Sequence, residues 1–137
     1  SPSYRGLVMI LALRTDKPEA ELYLYDSKTE VDSYRWQAHR QLSDTLLVKI
    51  EDILKSNGVT ILALTGICVY QGPGSFTGLR IGITVANTLA YSLNIPIAGA
   101  TDEDWLAVSL KLLKLQTTSQ IIMPVYGSEP NITSPRK

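Results

Sequence analysis

The 137-residue chain holds one histidine, one cysteine and one phenylalanine, and thirteen basic residues balance thirteen acidic ones. Each scarcity excludes something. One histidine and one cysteine cannot assemble a recognisable metal-ligand cluster, and a lone cysteine rules out a disulfide framework within the chain. Balanced charge leaves no basic field of the kind that phosphate-backbone affinity requires, so any service to a nucleic acid is expected to run through a partner. No apolar run approaches the roughly 20 residues that span a bilayer, and Ser1-Pro2-Ser3-Tyr4-Arg5 does not open a signal-like pattern, so no membrane association and a cytoplasmic location are expected. Cys68, inside the apolar run Ile67-Cys68-Val69-Tyr70, reads as a buried small hydrophobe. Residues 1–6 are set aside as a cloning remnant or a disordered start.

What is present is a core-sized hydrophobic content of 45%, enough for one domain and short for two. Residues 7–13 and 20–25 read as strands joined through the turn Thr15-Asp16-Lys17-Pro18, and 29–37 as a third strand whose two faces are poorly separated. The period then changes. Leu42, Leu46, Leu47, Ile50, Ile53 and Leu54 recur at three- and four-residue spacing and predict an amphipathic helix stopped at Gly58. A strand over 66–70, a helix over 77–93 and a strand over 95–99 form a crossover of the size that parallel pairing needs. Thr101, with Asp104 three positions on, reads as the cap of a third helix running to about Lys114, and 121–126 as a last strand. Residues 127–137 are rich in turn formers and are expected to stay disordered. The order describes an α/β fold: a mixed sheet with an antiparallel first hairpin, a parallel finish and flanking helices, as in an actin-like or ribonuclease-H-like half.

The informative stretch is Gly72-Pro73-Gly74-Ser75-Phe76-Thr77-Gly78-Leu79-Arg80-Ile81-Gly82, which joins a strand to a helix. Its glycines permit unusual backbone angles, and Ser75 or Thr77 is placed to cap the helix. Gly72, Gly74, Ser75, Thr77 and Arg80 therefore form either an anion-binding helix start or a purely structural tight turn. It is neither a Walker loop nor a dinucleotide fingerprint. Along the helix, Gly78, Gly82, Ala86 and Ala90 form a low ridge that something must approach closely. That partner is either the chain's own sheet or a helix of another subunit. In the second case Leu46, Leu47, Ile50, Gly82, Ile83, Ala86, Asn87 and Ala90 are the expected interface, while Arg80, Thr84, Asn87 and Tyr91 lie on the wetter side.

The segment from Gly72 to Gly82 resembles the signature of the TsaB (YeaZ) family. The likeness continues through Asn94-Ile95-Pro96-Ile97 and Thr101, and covers Met9-Ile10-Leu11-Ala12-Leu13 and Ser43-Asp44-Thr45-Leu46-Leu47, so that it spans about residues 7–126. The resemblance implies an actin-like fold and a non-catalytic scaffold that supports TsaD, the subunit that installs threonylcarbamoyl-adenosine in tRNA. It further implies a heterodimer with TsaD, the ATPase TsaE in a larger assembly, ATP only in the assembled complex, and tRNA contacted only indirectly. The chain departs from the family in three respects. Arg14-Thr15-Asp16 stands where Asp-Thr-Ser is usual, which withdraws support from a metal- or nucleotide-linked role of that loop. Leu42 stands where His often precedes the first helix. The usual second domain is absent from the sequence.

Catalytic readings are weaker. Ser75 and His39 can be drawn as nucleophile and base of a glycoprotease-like peptidase, but no spacing signals a third orienting group. Asp16 and Asp26 sit at turn or strand ends, and Asp102, Glu103 and Asp104 read as an acidic first helical turn, so a two-metal nuclease site is not indicated. No catalytic and no metal-binding residue is expected. The alternatives to a TsaD scaffold are a nucleotide- or anion-binding actin-like module and a self-associating homodimer.

Overall fold

The computed structural model describes residues 8–27, 29–115 and 121–125. The readings of 1–6 as a disordered start and 127–137 as a disordered tail lie outside the described residues. Five strands form one sheet: β1 (Ile10–Arg14), β2 (Glu19–Asp26), β3 (Thr29–Gln37), β4 (Gly66–Gly72) and β5 (Ile97–Thr101), in the order β3-β2-β1-β4-β5. β1 pairs antiparallel with β2 and β2 with β3, while β1–β4 and β4–β5 are parallel. The antiparallel start and parallel finish thus stand as the sequence predicts. Three helices complete the fold: α1 (Leu42–Ser56), α2 (Phe76–Leu93) and α3 (Trp105–Lys114).

Register sorts the side chains by face. Leu11 lies beside Leu24 and Ile67, and Leu13 beside Leu22 and Val69, so these apolar residues share one face. Tyr34 and Trp36 of β3 join that face. Trp36 Nε1 donates to Thr45 Oγ1 at 3.0 Å, and Tyr34 Oη lies 2.9 Å from Ser56 Oγ, which places α1 over it. α2 packs beside α1 on the same face. The helices bury Leu42, Leu46, Ile50, Ile53 and Leu54 from α1 and Leu79, Ile83, Ala86 and Ala90 from α2. Each fully buried Leu or Ile contributes about 1.5–3 kcal/mol relative to exposure.

The opposite face carries Ile10, Ala12 and Arg14, with Tyr23, Tyr25, Cys68 and Tyr70 beside them. α3 closes the β4–β5 half of it. Trp105 meets Tyr23 and Tyr70 edge to face, at centroid distances of 6.1 and 5.8 Å. α1 stops where expected. Gly58 takes φ 70°, and the N–H of Val59 reaches back to the carbonyl of Leu54 at 2.9 Å.

Three local expectations are corrected. Thr101 is the last residue of β5 rather than a cap, and its hydroxyl donates to Asp102 Oδ2 at 2.9 Å. Asp102, Glu103 and Asp104 form the turn before α3, whose first turn contains no acidic residue, because Asp102 adopts φ 69° and cannot begin a helix. Residues 121–125 form no strand. They are held mainly by side chains: Asn87 donates to the Ile122 carbonyl and accepts from its N–H, both at 2.9 Å, and Gln71 Nε2 donates to the Met123 carbonyl at 2.8 Å, with one backbone bond from the Val125 N–H to the Gln71 carbonyl at 2.7 Å. No described helix is long and apolar enough to cross a membrane.

Candidate functional site

Parallel strands bring their carboxyl ends together, and here those ends deliver three loops to one edge of the sheet: 14–18 after β1, 72–76 after β4 and 101–104 after β5. Arg14 is 7% exposed at the centre of this cluster. Its Nε donates to Asp16 Oδ1 at 2.7 Å and its Nη2 to Asp16 Oδ2 at 3.3 Å. The guanidinium also lies 3.9 Å over the ring of Tyr70, and its Nη1 is 4.0 Å from Glu103 Oε1. Burial pulls the Arg14 pKa down, but the bond and charge of Asp16 outweigh it, and the net shift is upward. Burial raises the Tyr70 pKa against the opposing Arg14 charge. Tyr70 Oη donates to the Pro73 carbonyl at 2.7 Å, tying the ion pair to the glycine-rich loop.

The glycines serve this packing. Gly72 takes φ 121°, and a Cβ there would overlap the Val125 carbonyl. At Gly74 an added Cβ would meet the Asp16 side chain; at Gly78 and Gly82 it would meet Thr15. The Gly78–Gly82 end of the α2 ridge is therefore a slot for the Thr15-Asp16 turn, and Thr15 Oγ1 donates to the Gly78 carbonyl at 2.7 Å. Ser75 is the N-terminal flanking residue of α2, yet neither it nor Thr77 caps the helix: no side chain makes a cap hydrogen bond there. Of the five loop residues singled out from sequence, Gly72 is buried and Gly74, Ser75, Thr77 and Arg80 are exposed, with Arg80 stacked 5.3 Å over Phe76. The inner side of the loop is filled by Asp16, already paired with Arg14.

The expected interface separates into two groups. Leu46, Ile50, Gly82, Ile83, Ala86 and Ala90 are buried inside this chain and present no surface to a partner, which corrects their assignment. The cause is that the spacing of an interface stripe and of a core stripe is the same. Asn87 is occupied by its clamp on Ile122. Leu47, 50% exposed, is the member of the set that faces outward, joined by Val48 at 53% and Tyr91 at 89%. Val48 was missed by sequence reasoning because it lies just off the apolar stripe of α1; Tyr91 was legible only as part of the wet side of α2.

The side chain of His39, drawn from the sequence as a base for Ser75, lies outside the described residues. No three His, Cys, Asp or Glu side chains group as metal ligands among the described residues. Cys68 is fully buried, and burial pushes its thiol up to about 12.

Comparison with known proteins places this arrangement. A model of the TsaD family, tRNA N6-adenosine threonylcarbamoyltransferase, matches residues 36–124. The tRNA threonylcarbamoyladenosine biosynthesis protein TsaB of Bacillus subtilis is 33% identical over 100 residues, which cover 73% of this chain and 44% of that protein. The chain thus spans less than half the length of such curated relatives. The solved structure of YeaZ from Pseudomonas aeruginosa superposes with a TM-score of 0.65 at 31% identity, covering 70% of this chain and 45% of that one. RuvC of Thermus thermophilus reaches a TM-score of 0.50 at 6% identity over 69% of this chain and 64% of its own, a likeness of fold alone. The fold is therefore the actin-like, ribonuclease-H-like one that the sequence predicts, and the chain belongs to the TsaB/YeaZ family within the wider group that the TsaD model describes.

Proposed function

We propose that this chain serves tRNA threonylcarbamoyladenosine biosynthesis as a non-catalytic partner of a TsaD-type transferase, docking through the outer face of the α1–α2 layer. The observation that carries the reading is the exposure of Leu47, Val48 and Tyr91 on two adjacent helices whose inner faces are fully committed to the core. Large apolar and aromatic side chains left in water on an otherwise packed layer are the usual anchors of a protein interface. The closed Arg14–Asp16 pair favours a scaffold over an enzyme, since the charged groups at the strand ends satisfy one another. In this reading ATP enters only with the assembled complex and TsaE, and tRNA is contacted by the transferase.

The experiment is size-exclusion chromatography with light scattering on this chain mixed with the cognate TsaD, using Leu47→Glu and Tyr91→Glu as variants. A stoichiometric complex that either variant abolishes, with circular dichroism unchanged, supports the reading. A complex indifferent to both variants refutes the face, and no complex with competent TsaD refutes the role.

A further inference from the structure

Residues 121–125 are seated in a slot built from α2, β4 and β5. Asn87 on α2 donates its amide to the Ile122 carbonyl and accepts the Ile122 N–H, both at 2.9 Å, the paired bonds that one side-chain amide can make with the backbone of one extended residue. Gln71 on β4 adds its Nε2 to the Met123 carbonyl at 2.8 Å, and its own carbonyl accepts the Val125 N–H at 2.7 Å. Gly99 on β5 pairs with Val69, on the face that α2 covers, and a Cβ there would stand 2.9 Å from Ile122 Cγ2. The missing side chain leaves the floor on which Ile122 sits, 5% exposed. Gly72 in the same way leaves room for the Val125 carbonyl.

Such a slot reads backbone. Its hydrogen bonds all go to main-chain groups, Ile122 is the side chain it takes in, and Ile121, Met123 and Val125 stay 64%, 66% and 44% exposed. Main-chain bonds for affinity and one side-chain pocket for selectivity are how extended peptides are bound by proteins generally. The segment is also lightly held. Four hydrogen bonds and one buried side chain stand against the ordering of five residues, terms of the same size, and the segment joins no strand of the sheet, so it can open while the sheet stays folded. We propose that the slot is a binding site for an extended peptide of a partner protein with an aliphatic residue at the Ile122 position, and that residues 121–125 close it in cis as a latch which that peptide displaces. The site lies on the β5 side of α2, apart from Leu47 and Val48 of α1, and does not rest on the TsaD reading.

The test is fluorescence anisotropy of a labelled synthetic peptide with the sequence of residues 119–126, titrated with the full chain. Ile122→Asp in the chain puts a carboxylate where the slot is apolar and vacates it. With folding checked by circular dichroism, this variant is expected to bind the peptide about tenfold or more tighter than the wild-type chain, whose slot is filled. Adding Asn87→Ala to it is expected to weaken binding about tenfold or more, and a peptide with Asp at the Ile122 position is expected not to bind. A second measurement needs no substitution: excess unlabelled peptide displaces the latch of the wild-type chain and speeds limited proteolysis within residues 121–125. The proposal is overturned if the folded Ile122→Asp chain binds no peptide, if Asn87→Ala leaves binding unchanged, or if Leu47→Glu removes it, which would place the peptide on the α1–α2 face. Should Ile122→Asp fail to fold, cleavage of the wild-type chain that is indifferent to the peptide is the overturning result.

Discussion

Replacing Arg14 by alanine removes the cation from the side chains packed at the carboxyl ends of β1 and β4. Asp16, whose side chain is 6% exposed, is then left without its ion-pair partner, and Tyr70 loses the guanidinium stacked 3.9 Å above it. Breaking a buried pair from one side costs about 3–5 kcal/mol, whereas an exposed pair costs about 0–1 kcal/mol. Loop strands with some access to water place this pair toward the lower end of the buried range, so a loss of about 3 kcal/mol is expected. For a domain of this size that lowers Tm by about 10 °C. The pair can be isolated in a double-mutant cycle. Arg14→Met combined with Asp16→Asn removes both charges while keeping most of the packing, and is expected to recover about half of the loss. Urea unfolding followed by circular dichroism measures each corner of the cycle. An Arg14→Ala cost below about 1 kcal/mol would refute the argument, since it would mean that the pair behaves as a surface salt bridge.

Other outcomes follow from the same packing. Gly82→Ala drives a methyl into Thr15 and is expected to cost about 1–3 kcal/mol in thermal unfolding, with the loss relieved by Thr15→Gly. If Gly82→Ala is neutral, α2 does not hold the Thr15 turn. Asn87→Ala breaks both bonds to Ile122 and should expose residues 121–125 to limited proteolysis, at a cost of about 1–3 kcal/mol; unchanged cleavage there would count against the clamp. The folded Cys68 thiol holds its proton to higher pH than an ordinary thiol at 9.0, because burial pushes it up to about 12. Its contribution is therefore fully present below pH 9.0 and is lost as pH rises from there through about 12, so Cys68→Ala should flatten the alkaline decline in stability. Rapid labelling of native Cys68 by a thiol reagent at pH 8 would contradict its burial.

Much of the architecture could be read without coordinates, because it rests on local period and composition. The apolar run of β1, the three- and four-residue rhythm of α1 and the glycine-rich entry to α2 each carry one dominant signal, and β3, although its two faces are poorly separated in sequence, and the end of α2 fall at the expected residues. The eleven-residue motif from Gly72 to Gly82 was enough to point to the family. What failed were decisions that local pattern does not contain. A Thr with an acid three residues on is the signature of a cap, but a left-handed Asp102 makes those residues a turn. Ile121, Ile122 and Val125 look like a strand, yet side-chain amides of Asn87 and Gln71 take up the backbone of Ile122 and Met123, and the Val125 N–H makes a single bond to the Gln71 carbonyl.

The sequence by itself determined the class of fold, the succession of elements and the family, since these depend on which residues recur at which spacing. Only the tertiary structure decided what the conspicuous residues are for. The ridge of Gly78, Gly82, Ala86 and Ala90 could face a sheet or a partner with equal ease in one dimension. In three dimensions Thr15 fills the Gly78–Gly82 end of it, Arg14 pairs with Asp16 beside it, and Ala86 and Ala90 are buried inside the chain, while the outer side of α1–α2 stays exposed. Helical spacing states that a face is apolar, and only the packed chain states whether that face is already covered.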